Sequence, residues 1–182
     1  NSNPTEAVTC VATLTDSHGG TASSNASETV TNSSPIFDVS ASILPSSGVL
    51  TSTSLTCTGA ASDADGDTPS LSYQWTNGNG STYSSTSTVL TLSSANTSPG
   101  DTVSCTITAT DNQGESVASS ASVSVDNTLP TITASISANG STNTGELTCT
   151  ATAYDVDDFP ATPTVSYEWF DANGLSLGSS NL

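Results

Sequence analysis

Two stretches of this chain repeat each other. Residues 3–35, NPTEAVTCVATLTDSHGGTASSNASETVTNSSP, align without a gap on residues 98–130, SPGDTVSCTITATDNQGESVASSASVSVDNTLP, at an offset of 95. Cys10 falls on Cys105, Asp16 on Asp111, Gly19 on Gly114, Val30 on Val125 and Pro35 on Pro130. A second pair follows. Residues 55–75, LTCTGAASDADGDTPSLSYQW, match residues 147–169, LTCTATAYDVDDFPATPTVSYEW, placing Cys57 on Cys149, Tyr73 on Tyr167 and Trp75 on Trp169. A fixed period marks a chain assembled from repeated units. A period of 92–95 residues is close to the length of one small β-sandwich.

One unit is complete, residues 35–129, and its apolar residues alternate with Ser and Thr. Phe37, Val39, Ala41 and Ile43 share one face of a strand, followed by Leu55 and Cys57, then Leu71, Tyr73 and Trp75. Leu90 and Leu92 come next, then Val103, Cys105, Ile107 and Ala109, then Val117, Ala121, Val123 and Val125. Period-2 alternation predicts half-buried strands, and the unit reads as seven short ones. Asn77-Gly78-Asn79-Gly80 and Asp111-Asn112-Gln113-Gly114 are turns by their residue types. Ser and Thr number 68 of 182 residues, a composition that would also suit disorder. The alternation argues for strands instead, because Thr fits a pleated, half-buried surface.

Charge excludes whole classes of function. The chain has no Lys or Arg, one His and 17 acidic residues. Nucleic-acid binding is not expected, because phosphate neutralisation needs Lys or Arg. Docking a basic face on anionic lipid is excluded for the same reason. No segment approaches the roughly 20 apolar residues that span a bilayer, so no membrane insertion is expected. The carboxylates must face water, accept hydrogen bonds or bind cations. Four Cys without zinc-type spacing point to disulfides and an oxidising compartment, hence an extracellular or cell-surface location.

Cys57, Trp75 and Cys105 resemble the Cys…Trp…Cys core of the immunoglobulin fold. The Tyr expected two residues before the second Cys is replaced by Val103. The chain thus resembles the immunoglobulin-like, cadherin-like and PKD-like tandem repeats of large bacterial surface or filament proteins. That resemblance implies an all-β chain of tandem immunoglobulin-like β-sandwiches, one complete module flanked by two half-modules. Residues 1–34 would supply the last two strands of one module. Residues 35–129 would form the complete one, and residues 130–182 the first strands of a third. It also implies a Cys57–Cys105 bridge, whose loop-closure entropy is roughly 4 kcal/mol at most, with two buried free thiols as the alternative. Cys10 and Cys149 would each bond a partner in a neighbouring copy or in continuing chain.

Two explanations fit the half-modules. The chain is a window on a longer polypeptide, or it is a subunit whose residues 1–34 complete residues 130–182 of the next copy, head to tail. Joining Leu182 to Asn1 on paper separates Cys149 from the next Cys10 by 43 residues, against 48 between Cys57 and Cys105. That near-match favours a filament, since a head-to-tail contact that does not close gives an open fibre. The apolar faces to be joined are Val8, Cys10, Ala12 and Leu14 on one side. Ile132, Ala134, Ile136, Leu147, Tyr167 and Trp169 form the other.

The sharpest chemical motif is Asp63-Ala64-Asp65-Gly66-Asp67. Alternating carboxylates around a Gly suit Ca²⁺, a hard cation that takes oxygen ligands. Asp111 and Glu115 stand in the turn expected at the same end of the sandwich, so Asp63, Asp65, Asp67, Asp111 and Glu115 could share one Ca²⁺. A solvated acidic loop accounts for the same residues. Asp155, Asp157 and Asp158 occupy the matching loop of the third module. Asp16-Ser17-His18 is not read as a catalytic triad, because adjacent residues on a tight turn cannot converge on one substrate atom. No enzyme activity is expected. Five Asn-x-Ser sequons, at Asn25, Asn32, Asn79, Asn96 and Asn139, fall in expected turns or strand ends and are candidate glycan sites. The expected role is a structural filament of stacked modules with short proline-ended linkers, Ser33-Ser34-Pro35 and Thr128-Leu129-Pro130. The alternative is an adhesin stalk, for which Tyr83, Phe159 and Phe170 are the loose aromatic candidates.

Overall fold

The structure is a computed structural model that describes residues 4–140, 145–158 and 161–179. Its described elements are all β-strands. β1 (Ala7–Thr15) and β2 (Thr21–Thr29) form an antiparallel hairpin. β3 (Ile36–Leu44), β4 (Ser54–Ser62) and β6 (Val89–Thr91) form a sheet in the order β3-β4-β6. β5 (Ser70–Asn77), β7 (Thr102–Thr110) and β8 (Ser116–Ser124) form a second, in the order β5-β7-β8. β9 (Thr131–Asn139) pairs with β10 (Glu146–Tyr154), and β11 (Trp169–Phe170) with β12 (Ser176–Gly178).

The fold is all-β and of sandwich type. A Cys57–Cys105 disulfide links β4 to β7, and so one three-stranded sheet to the other. The two Cα atoms lie 6.4 Å apart, within the range such a bond allows. β7 shows why the chain folds this way. Val103, Cys105, Ile107 and Ala109 are fully buried, while the residues between them are half-exposed. That is the alternation expected of a strand with one face on a core.

Two sequence expectations need correction. β3 does not hold one continuous apolar face. Its pairing with β4 shifts register between Phe37 and Val39 and again between Val39 and Ser42, and Val39 is 57% exposed. A bulge turns the strand and re-aims the side chains beyond it. The second concerns strand number: among the described residues, six strands rather than seven lie between Pro35 and Leu129. Residues 81–88 are mostly irregular, apart from a single bridge between Thr76 and Thr82. Ser85 and Ser87 hydroxyls both donate to the Val89 carbonyl, and the Ser87 amide donates to Ser85 Oγ. Such local side-chain bonds compete with a strand ladder.

The chain forms two compact units. One comprises Asn1–Leu44, Thr56–Val89 and Ser104–Ser122. Its core holds Pro35, Ile43, the disulfide, Trp75, Ile107 and Ala109. Trp75 is fully buried, and its Nε1 donates to the Ser87 carbonyl at 2.9 Å. The other unit comprises Pro45–Leu55, Leu90–Val103 and Val123–Leu182. Val49, Leu55, Leu90, Leu92, Val103, Val123, Val125 and Trp169 form its core. There Val49 bridges Val125 in parallel, and the Asp126 amide donates to the Val49 carbonyl.

Candidate functional site: two acidic linker joints

Three hairpin turns, after β1, β7 and β11, are built by one device. In Asp16-Ser17-His18-Gly19-Gly20, Asp16 Oδ1 accepts the amides of His18 and Gly20 at 2.9 and 2.8 Å. Asp111 Oδ1 does the same for Gln113 and Glu115, and Asp171 Oδ1 for Asn173 and Leu175. The fourth residue is Gly19, Gly114 or Gly174, each at positive φ, where a Cβ would be strained. Asp16 therefore has a structural task in the turn. Ser17 Oγ and His18 Nδ1 lie 3.2 Å apart beside it.

The turn after β7 and the acidic loop after β4 meet the linker that follows β2. Asn32 Nδ2 donates to Asp111 Oδ2 at 2.8 Å. The Ser33 amide donates to Asp65 Oδ2 at 2.7 Å, and Ser34 Oγ donates to Glu115. Within the loop, Asp63 Oδ1 accepts the Asp65 amide at 2.8 Å. Asp67 Oδ2 accepts the Asn112 amide at 3.1 Å. The hydrogen bond from Asn32 holds the Asp111 carboxyl below its ordinary pKa against the opposing effect of burial. The Glu115, Gly114 and Gln113 amides act in the same direction as Asn32.

One contact of this joint, a linker amide on a loop carboxylate, occurs a second time. Thr128 falls on Ser33 under the repeat, and Asp157 falls on Asp65. The Thr128 amide donates to Asp157 Oδ2 at 2.5 Å, and Asp155 Oδ1 accepts the Asp157 amide at 2.8 Å. Thr51 adds its hydroxyl to the Asp157 carboxylate. Desolvation pushes the Asp157 pKa up, and the hydrogen bonds from Thr51 and Thr128 outweigh it, leaving the pKa lowered. In both joints a carboxylate grips the backbone two residues before the linker proline. The charged acceptor makes such bonds stronger than neutral ones.

The structure thus brings four of the five expected cation ligands onto linker or loop donors and leaves Asp63 inside its own loop. Three acceptor oxygens at this joint are buried without a donor: Asn32 Oδ1, Asp63 Oδ2 and Asp67 Oδ1. The Asn32 amide orientation follows from its partner, since a carboxylate can only accept and must face Nδ2. Among the described residues, no three His, Cys, Asp or Glu side chains form a group that could hold a metal ion. The linker donors Asn32, Ser33 and Ser34, and Thr51 at the second joint, escaped the sequence reading. Only the matching of Ser33 with Thr128 and Asp65 with Asp157 signalled them.

Cys10 is an exposed free thiol, and Cys149 is a half-buried one. The sequons are unevenly placed. Asn79 and Asn96 are exposed in turns, and Asn139 ends β9. Asn25 lies in the middle of β2 rather than in a turn or at a strand end, because the hairpin register runs unbroken from Thr21 to Thr29. Asn32 has its amide engaged by Asp111. Of the aromatic candidates, Phe170 is 57% exposed, Tyr83 is half-buried, and Phe159 lies outside the described residues. Among the described residues no helix is long and apolar enough to cross a membrane. Fold and site together define a disulfide-bonded, all-β, sandwich-type protein with carboxylate-clamped linkers. No protein-family model matches the chain, and no curated protein matches it.

Proposed function

We propose that this chain is a structural segment of an extracellular filament, built from immunoglobulin-like modules stacked end to end. In that reading, incomplete modules are completed by a neighbouring copy or by continuing chain. The observation that carries it is the repeated joint. A catalytic or ligand-binding surface has no need to recur at each linker, whereas a stack needs the same geometry at every junction. A proline and a charge-assisted hydrogen bond at each linker limit bending. Asp65→Ala and Asp157→Ala test this. Amide exchange at Ser33 in the first variant and at Thr128 in the second should quicken at least tenfold, with a broader distribution of dimensions in small-angle scattering. Unchanged exchange and scattering in both variants would sink the stacked reading.

The buried orphan oxygens extend the proposal to Ca²⁺. Asn32 Oδ1, Asp63 Oδ2 and Asp67 Oδ1 are hard acceptors with no donor, and burying such atoms unpaired is costly. They would supply part of an oxygen shell, with waters filling the rest. The ion's role would be to stiffen the joint. Melting curves in millimolar Ca²⁺ and in a chelator should differ, with Ca²⁺ raising the midpoint. Identical curves would leave the solvated acidic loop as the account of these residues. Asn79 and Asn96 are the sequons best placed to carry glycans.

A further inference from the structure

The same strand pattern has opposite burial in different parts of the chain. Val103 and Cys105 on β7 are fully buried, while their repeat equivalents on β1, Val8 and Cys10, are exposed. All nine residues of β1 and all nine of β2 are exposed. On the complementary side, Ile43 pairs across its sheet with Cys57, and Ile136 pairs across its sheet with Cys149. Ile43 is 4% exposed and Ile136 is 65% exposed. Leu55 is fully buried, whereas its equivalent Leu147 is 36% exposed. β1 and β9–β10 therefore carry the two faces of the β7 and β3–β4 interface, the first exposed and the second exposed at Ile132, Ile136 and Leu147 and half-buried at Cys149, Ala151 and Ala153.

Side-chain sizes leave room for the two faces to meet. At Gly59 on β4, an added Cβ would lie 2.8 Å from Ile107 Cδ1, so the large residue on β7 sits close against a Gly. The equivalent of Gly59 on β10 is Ala151, which does carry a Cβ. The equivalent of Ile107 on β1 is Ala12, which is small enough to receive it. The Gly59–Ile107 pair becomes Ala151–Ala12. Ala151 adds one side-chain carbon to its face and Ala12 has three fewer than Ile107, so the second pair meets without the crowding of the first.

We propose that the β1–β2 hairpin of one copy of this chain seats on the β9–β10 sheet of a second copy. The contact closes a sandwich in which Cys10 bonds Cys149 as Cys57 bonds Cys105. The proposal rests on the stacked reading and names its partner: another copy, docked head to tail. The contact uses two different surfaces, so it propagates rather than closing on itself. A low-molecular-weight disulfide is the oxidant. The Cys10 thiolate attacks it, forming a mixed disulfide and releasing one small thiol. The Cys149 thiolate of the second copy then attacks the Cys10 sulfur and displaces the second small thiol. The two protein thiols lose two electrons and two protons, and the small disulfide gains them as two thiols.

The test uses the whole 182-residue chain with a small disulfide as oxidant. The unmutated chain should give a ladder on non-reducing electrophoresis that collapses to one band on reduction. Cys10→Ser and Cys149→Ser should each abolish the ladder. An equal mixture of the two variants should yield a dimer and nothing larger, with mass spectrometry finding Cys10 joined to Cys149. Ile136→Asp alters an exposed side chain and keeps both thiols. It should cut the ladder at least tenfold while Cys57–Cys105 stays intact. A mixture that remains monomeric, a Cys10–Cys10 or Cys149–Cys149 product as the main species, or a ladder unaffected by Ile136→Asp would overturn the proposal. Failure here with the linker effects of Asp65→Ala and Asp157→Ala intact leaves the stacked reading standing. Loss of those linker effects with the ladder intact removes the stacked reading and keeps this contact.

Discussion

Gly59 is a closely packed position in the disulfide-bonded sandwich. A Cβ there would meet Ile107 Cδ1 at 2.8 Å and the Val39 carbonyl oxygen at 3.3 Å. The first contact is with the flexible end of a side chain, and the second is with backbone at the β3 bulge. Gly59→Ala should therefore destabilise by about 1–3 kcal/mol, as overpacking does. Adding Ile107→Val removes the nearest methyl and should recover part of that loss. Urea unfolding of the single and double variants checks this, and a Gly59→Ala chain as stable as the parent would show the site to be loose. Nothing in the sequence marked Gly59, because its neighbour Ile107 is 48 positions away. The acidic residues were legible as a group by composition, since the chain has no Lys or Arg to neutralise them. Their partners were not, because amides and hydroxyls of Asn32, Ser33, Ser34 and Thr51 look like ordinary linker and loop residues until the fold brings them to a carboxylate.

At the scale of elements, β7 was the easiest to read. Its alternation of Val103, Cys105, Ile107 and Ala109 with Ser and Thr survives as an alternation of burial. β3 carries an equally regular pattern and departs from it, because a bulge is set by pairing with β4 rather than by the strand's own residues. The stretch before β6 follows the same logic, with its serines bonding locally instead of extending a ladder. The sheets are short and rich in Ser and Thr, so the bond between β4 and β7 matters more than it would across a thick apolar core. Replacing Cys57 and Cys105 together by Ala should cost about 2–5 kcal/mol. The pair closes a 48-residue separation and leaves two small residues at the centre of the core. Thermal unfolding of a Trp169→Phe background, monitored by Trp75 fluorescence, measures it. A double variant melting at the parent's temperature would mean that the sheets hold together without the bond.

Over the whole molecule, charge is one-sided: 17 acidic residues and no Lys or Arg. Salt at neutral pH therefore screens repulsion with almost no attraction to weaken, and the melting temperature should rise with added sodium chloride. Lowering the pH brings two opposing effects. Protonating ordinary surface carboxylates relieves repulsion and favours the fold. Protonating carboxylates that accept hydrogen bonds in the folded state does the reverse. Asp111, held down first by Asn32, belongs to the second group. So do Asp157, where the Thr51 and Thr128 bonds outweigh desolvation, and Asp171, gripped by the Leu175 and Asn173 amides. Each has a folded pKa below the ordinary 3.8. The unfolded chain then binds more protons than the folded one in the region below that value, so stability rises with pH there. Their contribution is fully present above about pH 5 and is lost as pH falls through the folded pKa values. The melting temperature should thus hold level or climb slightly from pH 7 to about 5. Below the ordinary Asp value it should fall, even though net charge is approaching zero. Asp111→Asn and Asp157→Asn remove two of the three titrating groups and should flatten the acid limb while lowering the neutral plateau. A melting temperature that climbs steadily to pH 2 in the parent chain would show that repulsion dominates and that the carboxylate-clamped turns and joints contribute little to the fold.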